Sequence, residues 1–131
     1  MTEKRDITER ADIELMLNNF YGRVRNNELL GPIFNSRIGD RWPEHLDKMY
    51  RFWETVLLNE HSYGGSPFLP HASMQIDASH FAIWKSLFIA TVDQLFAGPT
   101  ANTAKWRAEL MAELFNSKIE YSRKSGFKPI Q

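Results

Sequence analysis

Four side chains in this sequence have types and settings suited to chemistry: Tyr21, His45, His71 and Trp84. His71 closes the run Pro67-Phe68-Leu69-Pro70-His71, where two prolines stiffen the backbone and the other neighbours are apolar. An imidazole acting as an axial metal ligand must be neutral and held in one orientation, its second ring nitrogen bonded to a carbonyl or similar acceptor. A proline-bracketed turn supplies free carbonyls and restricts movement. On this feature alone, a surface-loop histidine with no role is the more frequent outcome.

His45 shares a helical face with Met49, Phe52 and Val56, within about 60° of arc at 100° per residue. Such a histidine is more often a satisfied core residue than a functional one. Tyr21 falls among the inward residues of an amphipathic stretch, and Trp84 lies on another apolar stripe. A buried phenol or indole N–H normally seeks a partner. Each has a plain explanation as core. Together, three hydrogen-bonding groups on three apolar faces are suited to converge on a polar ligand in a dry pocket, and a diatomic ligand on iron is one such object.

The other histidines carry less. His61 lies in a polar run beside Ser62, and the nine-residue spacing from His71 to His80 matches no metal-binding motif. Lys48 and Arg51 follow His45 and read as a solvated edge or as anion contacts. No glycine-rich phosphate loop, HExxH pair, GxSxG elbow or EF-hand pattern is present.

Helical periodicity supplies the frame for these residues. A first helix is expected from about Glu9 to Asn27, with Ile13, Leu17, Phe20, Tyr21 and Val24 on one face. Gly31-Pro32 interrupts it, and Pro32-Ile33-Phe34-Asn35 reads as a short helical turn. The second long helix is expected from Pro43 to about Leu58. An irregular stretch follows, His61 to Ile76, with Gly64-Gly65, Pro67 and Pro70. Asp77 is placed to cap a third helix whose apolar stripe is Phe81, Trp84, Phe88, Val92 and Leu95, ended by Gly98-Pro99. The fourth is expected from about Ala101 to Lys124, with Ala104, Ala108, Met111 and Phe115 inward. The expectation is an all-α single domain over residues 1–131, with 1–8 a loose lead and 125–131 a loose tail.

Composition narrows the function class. Sixteen basic and sixteen acidic residues cancel, which argues against nucleic acid as partner, since phosphate binding needs a basic patch. No apolar run approaches the ~20 residues of a membrane span. The N-terminus MTEKRDITER has no apolar signal core, so a cytoplasmic location is expected. Cysteine is absent, which removes disulfides, thiolate ligation and thiol catalysis together. Nine Phe, four Tyr and four Trp are a heavy aromatic load for one small core, and a flat aromatic ligand would be served by it.

Read in order, Phe20-Tyr21, Leu30-Gly31-Pro32-Ile33-Phe34, His45-Leu46 with Met49 and Phe52-Trp53, Tyr63-Gly64-Gly65-Ser66-Pro67, His71, and His80-Phe81-x-x-Trp84 closely resemble the group III truncated haemoglobins. These are compact globins with a two-over-two helical sandwich around a haem. The resemblance runs from about Asp6 to the end of the fourth helix. Lys85-Ser86 departs from it, standing where a more apolar pair is usual.

The resemblance implies haem b with His71 as the proximal iron ligand, and Tyr21, His45 and Trp84 as the distal polar groups. Phe34 and Met49 would lie against the porphyrin, and Lys48 or Arg51 would meet a propionate. Phe52, Phe68, Ile76, Phe81 and Phe88 would complete the haem contacts. The implied function is binding of O2, or of NO, CO or cyanide, in redox or nitrosative and oxidative stress chemistry rather than bulk oxygen transport. NO dioxygenase-like turnover would draw on an unidentified electron donor. A peroxidase-like haem enzyme is the second reading, and a cofactor-free helical interaction module is a distant third.

Overall fold

The computed structural model describes residues 4–58 and 77–125, with side chains as far as 121. Five α-helices follow in order among these residues: α1 (Arg10–Asn26), α2 (Leu30–Ile38), α3 (Trp42–Leu58), α4 (Ala78–Leu95) and α5 (Pro99–Ser125). A 3-10 turn, Gly39–Arg41, joins α2 to α3. The described residues contain no strand, and no helix among them is long and apolar enough to cross a membrane. The irregular stretch expected at His61–Ile76 lies outside the described residues.

Helices α1, α2 and α4 start where a nearby side chain satisfies orphan N–H groups. Glu9 and Asp12 cap one another reciprocally at the head of α1. The Asn27 side chain accepts from the N–H groups of Leu29 and Leu30, both at 2.9 Å, and starts α2. Asp77 accepts from Ser79 N–H at 2.9 Å and starts α4.

The short turn expected at Pro32–Asn35 is a nine-residue helix. Pro32 sits in its first turn, where the missing N–H would have had no helical acceptor, so the proline does not break it. Gly31 is what lets α2 begin so close to α1. A Cβ there would stand 2.5 Å from the Arg25 carbonyl oxygen. The last helix likewise starts at its proline, Pro99, two residues before the expected Ala101.

Helix α1 packs on α3, α4 packs on α5, and α1 also meets α4, which lays one helix pair over the other. Phe20, Trp53, Phe88 and Val92 fill the space between the pairs. Ala101, Ala104 and Ala108 are fully buried, and their small side chains let α5 approach closely.

Residues 4–8, expected as a loose lead, are tied down. Ile7 is buried, and Ala97 N–H donates to the Arg5 carbonyl at 3.1 Å. Arg5 also pairs with the buried carboxylate of Asp12. Asp6 accepts from the N–H groups of Thr100 and Ala101 at 2.9 and 2.8 Å, so it caps α5 from the other end of the sequence. The physical reason is Gly98. It precedes Pro99 with φ 139°, and a Cβ there would collide with the Asp6 carboxyl group at 2.6 Å. A helix head with no capping side chain of its own has been built around a borrowed carboxylate.

Candidate functional site

A largely apolar cavity of about 580 Å3, counting the part open to solvent, lies among α1, α2, α3, α4 and α5. Among the described residues its polar wall groups are few: Tyr21 from α1, and His80 and Trp84 from α4. The remaining wall is hydrocarbon and aromatic, with Phe34, Met49, Phe81 and Phe115 its bulkiest contributors beside Trp53.

Tyr21 is held by rings. Phe20, Trp42 and His45 approach it at centroid distances of 4.8, 5.8 and 5.1 Å, all close to edge-on. No hydrogen bond to its hydroxyl occurs among the described residues. Burial pushes the phenol above its ordinary value near 10, because the phenolate would lose its hydration. At neutral pH the group is therefore a hydroxyl, able to donate.

Trp84 is held in the same way. Phe88 stacks on it at 5.8 Å with 17° between planes, and stacks on Trp53 at 4.9 Å and 22°. Phe20 meets Trp84 edge-on at 5.5 Å. Its indole N–H also has no acceptor among the described residues. Two donors from different helices thus stand in the wall of one apolar space.

His45 does not reach that wall. Its ring packs edge-on against Tyr21 at 5.1 Å and Trp42 at 5.6 Å, and its Nε2 atom is sealed from solvent. It stands behind Tyr21. Of the remaining expected site residues, Phe34, Met49 and Phe81 line the cavity. Phe88 is fully buried behind it, as the backing of both tryptophans. Phe52 meets Trp53 edge-on at 5.5 Å without lining the cavity. Lys48 is exposed on α3, and Arg51 pairs with Asp47 at 3.1 Å. Phe68, His71 and Ile76 lie outside the described residues.

The cavity also uses residues that sequence reasoning does not assign to it. Leu30, Trp53, Met111, Ala112 and Phe115 belong to its wall. Periodicity marks Met111 and Phe115 as inward, but an inward position does not say whether a side chain meets protein or a cavity. His80 is the polar case. Its four-residue spacing to Trp84 puts both on one face of α4, and this was the available signal. Its Nδ1 accepts from Asp77 N–H at 3.0 Å and lies 3.1 Å from Asp77 Oδ1. Asp77 itself is held well down the acid range, to about 2, chiefly by hydrogen bonds from the Ser79 hydroxyl and N–H.

No family model matches the chain. A curated relative from Campylobacter jejuni, described as a group 3 truncated hemoglobin, is 31% identical over 120 residues, covering 88% of this chain and 94% of its own. This chain belongs to the group 3 truncated haemoglobins. The crystal structure of the group III truncated hemoglobin from Campylobacter jejuni superposes with a TM-score of 0.81, at 31% identity over 88% of this chain and 94% of that one. The two helix pairs are thus the two-over-two sandwich of truncated globins.

Membership implies a haem, and the described residues fit one. The cavity is lined mostly by hydrocarbon and aromatic side chains with a few polar groups, the make-up of a cofactor site. Its wall is aromatic, as a flat porphyrin requires. Its two distinctive polar groups, the Tyr21 hydroxyl and the Trp84 N–H, satisfy no protein acceptor that is described here.

Proposed function

We propose that this globin binds haem b, with His71 as the axial ligand, and holds O2 or NO at a polar distal face for stress-related redox chemistry rather than bulk delivery. The observation that carries the reading is that two hydrogen-bonding side chains from different helices, Tyr21 and Trp84, line one apolar cavity. The haem supplies an iron site at which a diatomic ligand can bind and react. The chain's own residues do the rest. Met49, Phe81 and Phe115 exclude water, which raises the strength of every hydrogen bond made inside. Tyr21 and Trp84 donate to the negative charge that gathers on bound O2, each contributing about 1–3 kcal/mol in such a site. Slow ligand loss follows, and it suits reaction with a second molecule better than release. Sustained consumption of NO would need an external one-electron donor.

Peroxidase-like chemistry is the second reading, because the same donors would polarise a peroxide. It also needs a proton acceptor beside the ligand. His45 stands behind Tyr21, His80 has its Nδ1 taken up by Asp77 N–H, and the raised phenol does not serve as a base at neutral pH. This favours the ligand-holding reading.

A Soret band in the purified protein, with pyridine haemochrome spectra typical of protohaem, tests the cofactor. Stopped-flow mixing of the oxygenated protein with NO, set beside its peroxide turnover, tests the reaction. His71→Ala is expected to abolish the proximal histidine signal of the ferrous protein, with His80→Ala retaining it. An unchanged signal in His71→Ala overturns the ligand assignment, and faster peroxide turnover than NO consumption overturns the preferred chemistry.

A further inference from the structure

Helix α5 is apolar on two opposite faces. Ala104, Ala108, Ala112, Phe115 and Ile119 are buried on one side. On the other side Trp106, Leu110, Leu114 and Tyr121 are 56, 41, 51 and 69% exposed. At 100° per residue the exposed four span about 80° of arc, centred about 155° away from the buried face. A surface helix normally carries one apolar stripe, with charge opposite.

The edges of this second stripe are charged in an ordered way. Glu109, Glu113 and Glu120 run along one side, and Arg107 and Lys118 along the other, all exposed. That order chooses an occupant. If a second copy packs here with the twofold axis running along the helices, the acidic edge of each copy meets the basic edge of the other. With the axis perpendicular to the helices, acid would face acid and base would face base.

The area is compatible with such a pairing. An aromatic residue offers 150–250 Å2, so the stripe presents on the order of 500 Å2 per copy. Two stripes with their charged rims reach about the lower limit of specific interfaces, roughly 1,200 Å2 in total.

We propose that this face of α5 is a homodimer interface, formed by two α5 helices side by side and parallel. The proposal stands apart from the haem reading, since none of the stripe residues lines the cavity. Sedimentation velocity and equilibrium on the full-length haem-loaded protein, across a concentration series, provide the test. The expected result is a reversible shift from the 15.3 kDa monomer towards twice that mass. Leu110→Lys with Leu114→Lys should leave a monomer with unchanged Soret and far-ultraviolet spectra. Arg107→Glu with Lys118→Glu should weaken association by about tenfold or more, and adding Glu109→Lys with Glu113→Lys should restore it, because the two edges have then exchanged sign. A wild-type protein that stays monomeric at several hundred micromolar overturns the proposal, whether the face instead meets another protein or a lipid surface. A dimer indifferent to the Leu110 and Leu114 changes also overturns it, and one indifferent to the charge reversal overturns the parallel arrangement.

Discussion

Tyr21 and Trp84 reach the same cavity from different helices, and Phe20 touches both rings. Their donors should therefore address one bound ligand. Tyr21→Phe and Trp84→Phe are each expected to speed O2 dissociation, by about tenfold for each 1.4 kcal/mol lost. The double variant should differ from the product of the two, since either donor can reorient when the other is removed. Stopped-flow O2 release measures all three rates, and unchanged single variants would show that both groups are core. The raised phenol adds a pH expectation. A tyrosine whose folded pKa lies above its unfolded value keeps its proton, and the stability that goes with it, below pH 10, losing them only as the pH climbs further. The off-rate contribution of Tyr21 should thus be flat from pH 6 to about 9.5. His45 is expected to act differently. Because it backs Tyr21 and does not line the cavity, we expect it to restrict entry by bracing the Tyr21 ring rather than to hold the ligand itself. His45→Ala should raise the CO association rate several-fold after flash photolysis, while changing O2 release less than Tyr21→Phe does. The reverse pattern would make it a direct donor.

At the scale of the helices, apolar periodicity was a good guide wherever one face alone decides the element. The stripe Phe81, Trp84, Phe88 and Val92 with Asp77 ahead of it specifies α4 almost to the residue. It failed at α2 because Pro32 looks like a breaker unless the first turn is known to begin at Leu30. The candidate site was legible at Tyr21 and Trp84 because buried polar groups are conspicuous on apolar stripes. Trp53 and Phe115 were not, since an aromatic ring facing a cavity and one facing the core give the same pattern. Glycine separates the two kinds of constraint. Gly31 sits against the Arg25 carbonyl, whereas a Cβ at Gly22 would meet nothing within 4 Å. Gly22 therefore makes room for neither another helix nor a neighbouring side chain. Gly22→Ala is expected to stabilise α1 by up to about 1 kcal/mol, and Gly31→Ala to destabilise by about 1–3 kcal/mol through forced backbone movement. Denaturant midpoints at constant slope measure both, and equal effects of the same sign would contradict the difference in their surroundings.

At the scale of the molecule, the N-terminal segment is fastened to the head of the last helix. Periodicity assigns nothing to residues 4–8 because a strap of extended chain has no repeating face. Yet Asp6 joins the start of the chain to the head of α5 through the N–H groups of Thr100 and Ala101, and accepts from Ile7 N–H as well at 2.9 Å. Burial alone would raise the Asp6 carboxyl, but the three backbone donors outweigh it and hold the group below its ordinary value of 3.8. A carboxylate with a depressed folded pKa contributes stability that is present above the unfolded value and lost as the pH falls through the folded one. Asp6→Ala should remove a helix cap and cost about 1 kcal/mol near pH 7, lowering Tm by about 2–6 °C. Asp6→Asn keeps one side-chain acceptor and should fall between the two. The deficit of Asp6→Ala relative to wild type should shrink as the pH is lowered below about 4, because the wild-type carboxylate is then being protonated too. Thermal melts of both variants at pH 7 and below pH 4 decide the matter. A deficit that is the same at both pH values would mean that Asp6 acts through packing against Gly98, and not through its charge on the head of α5.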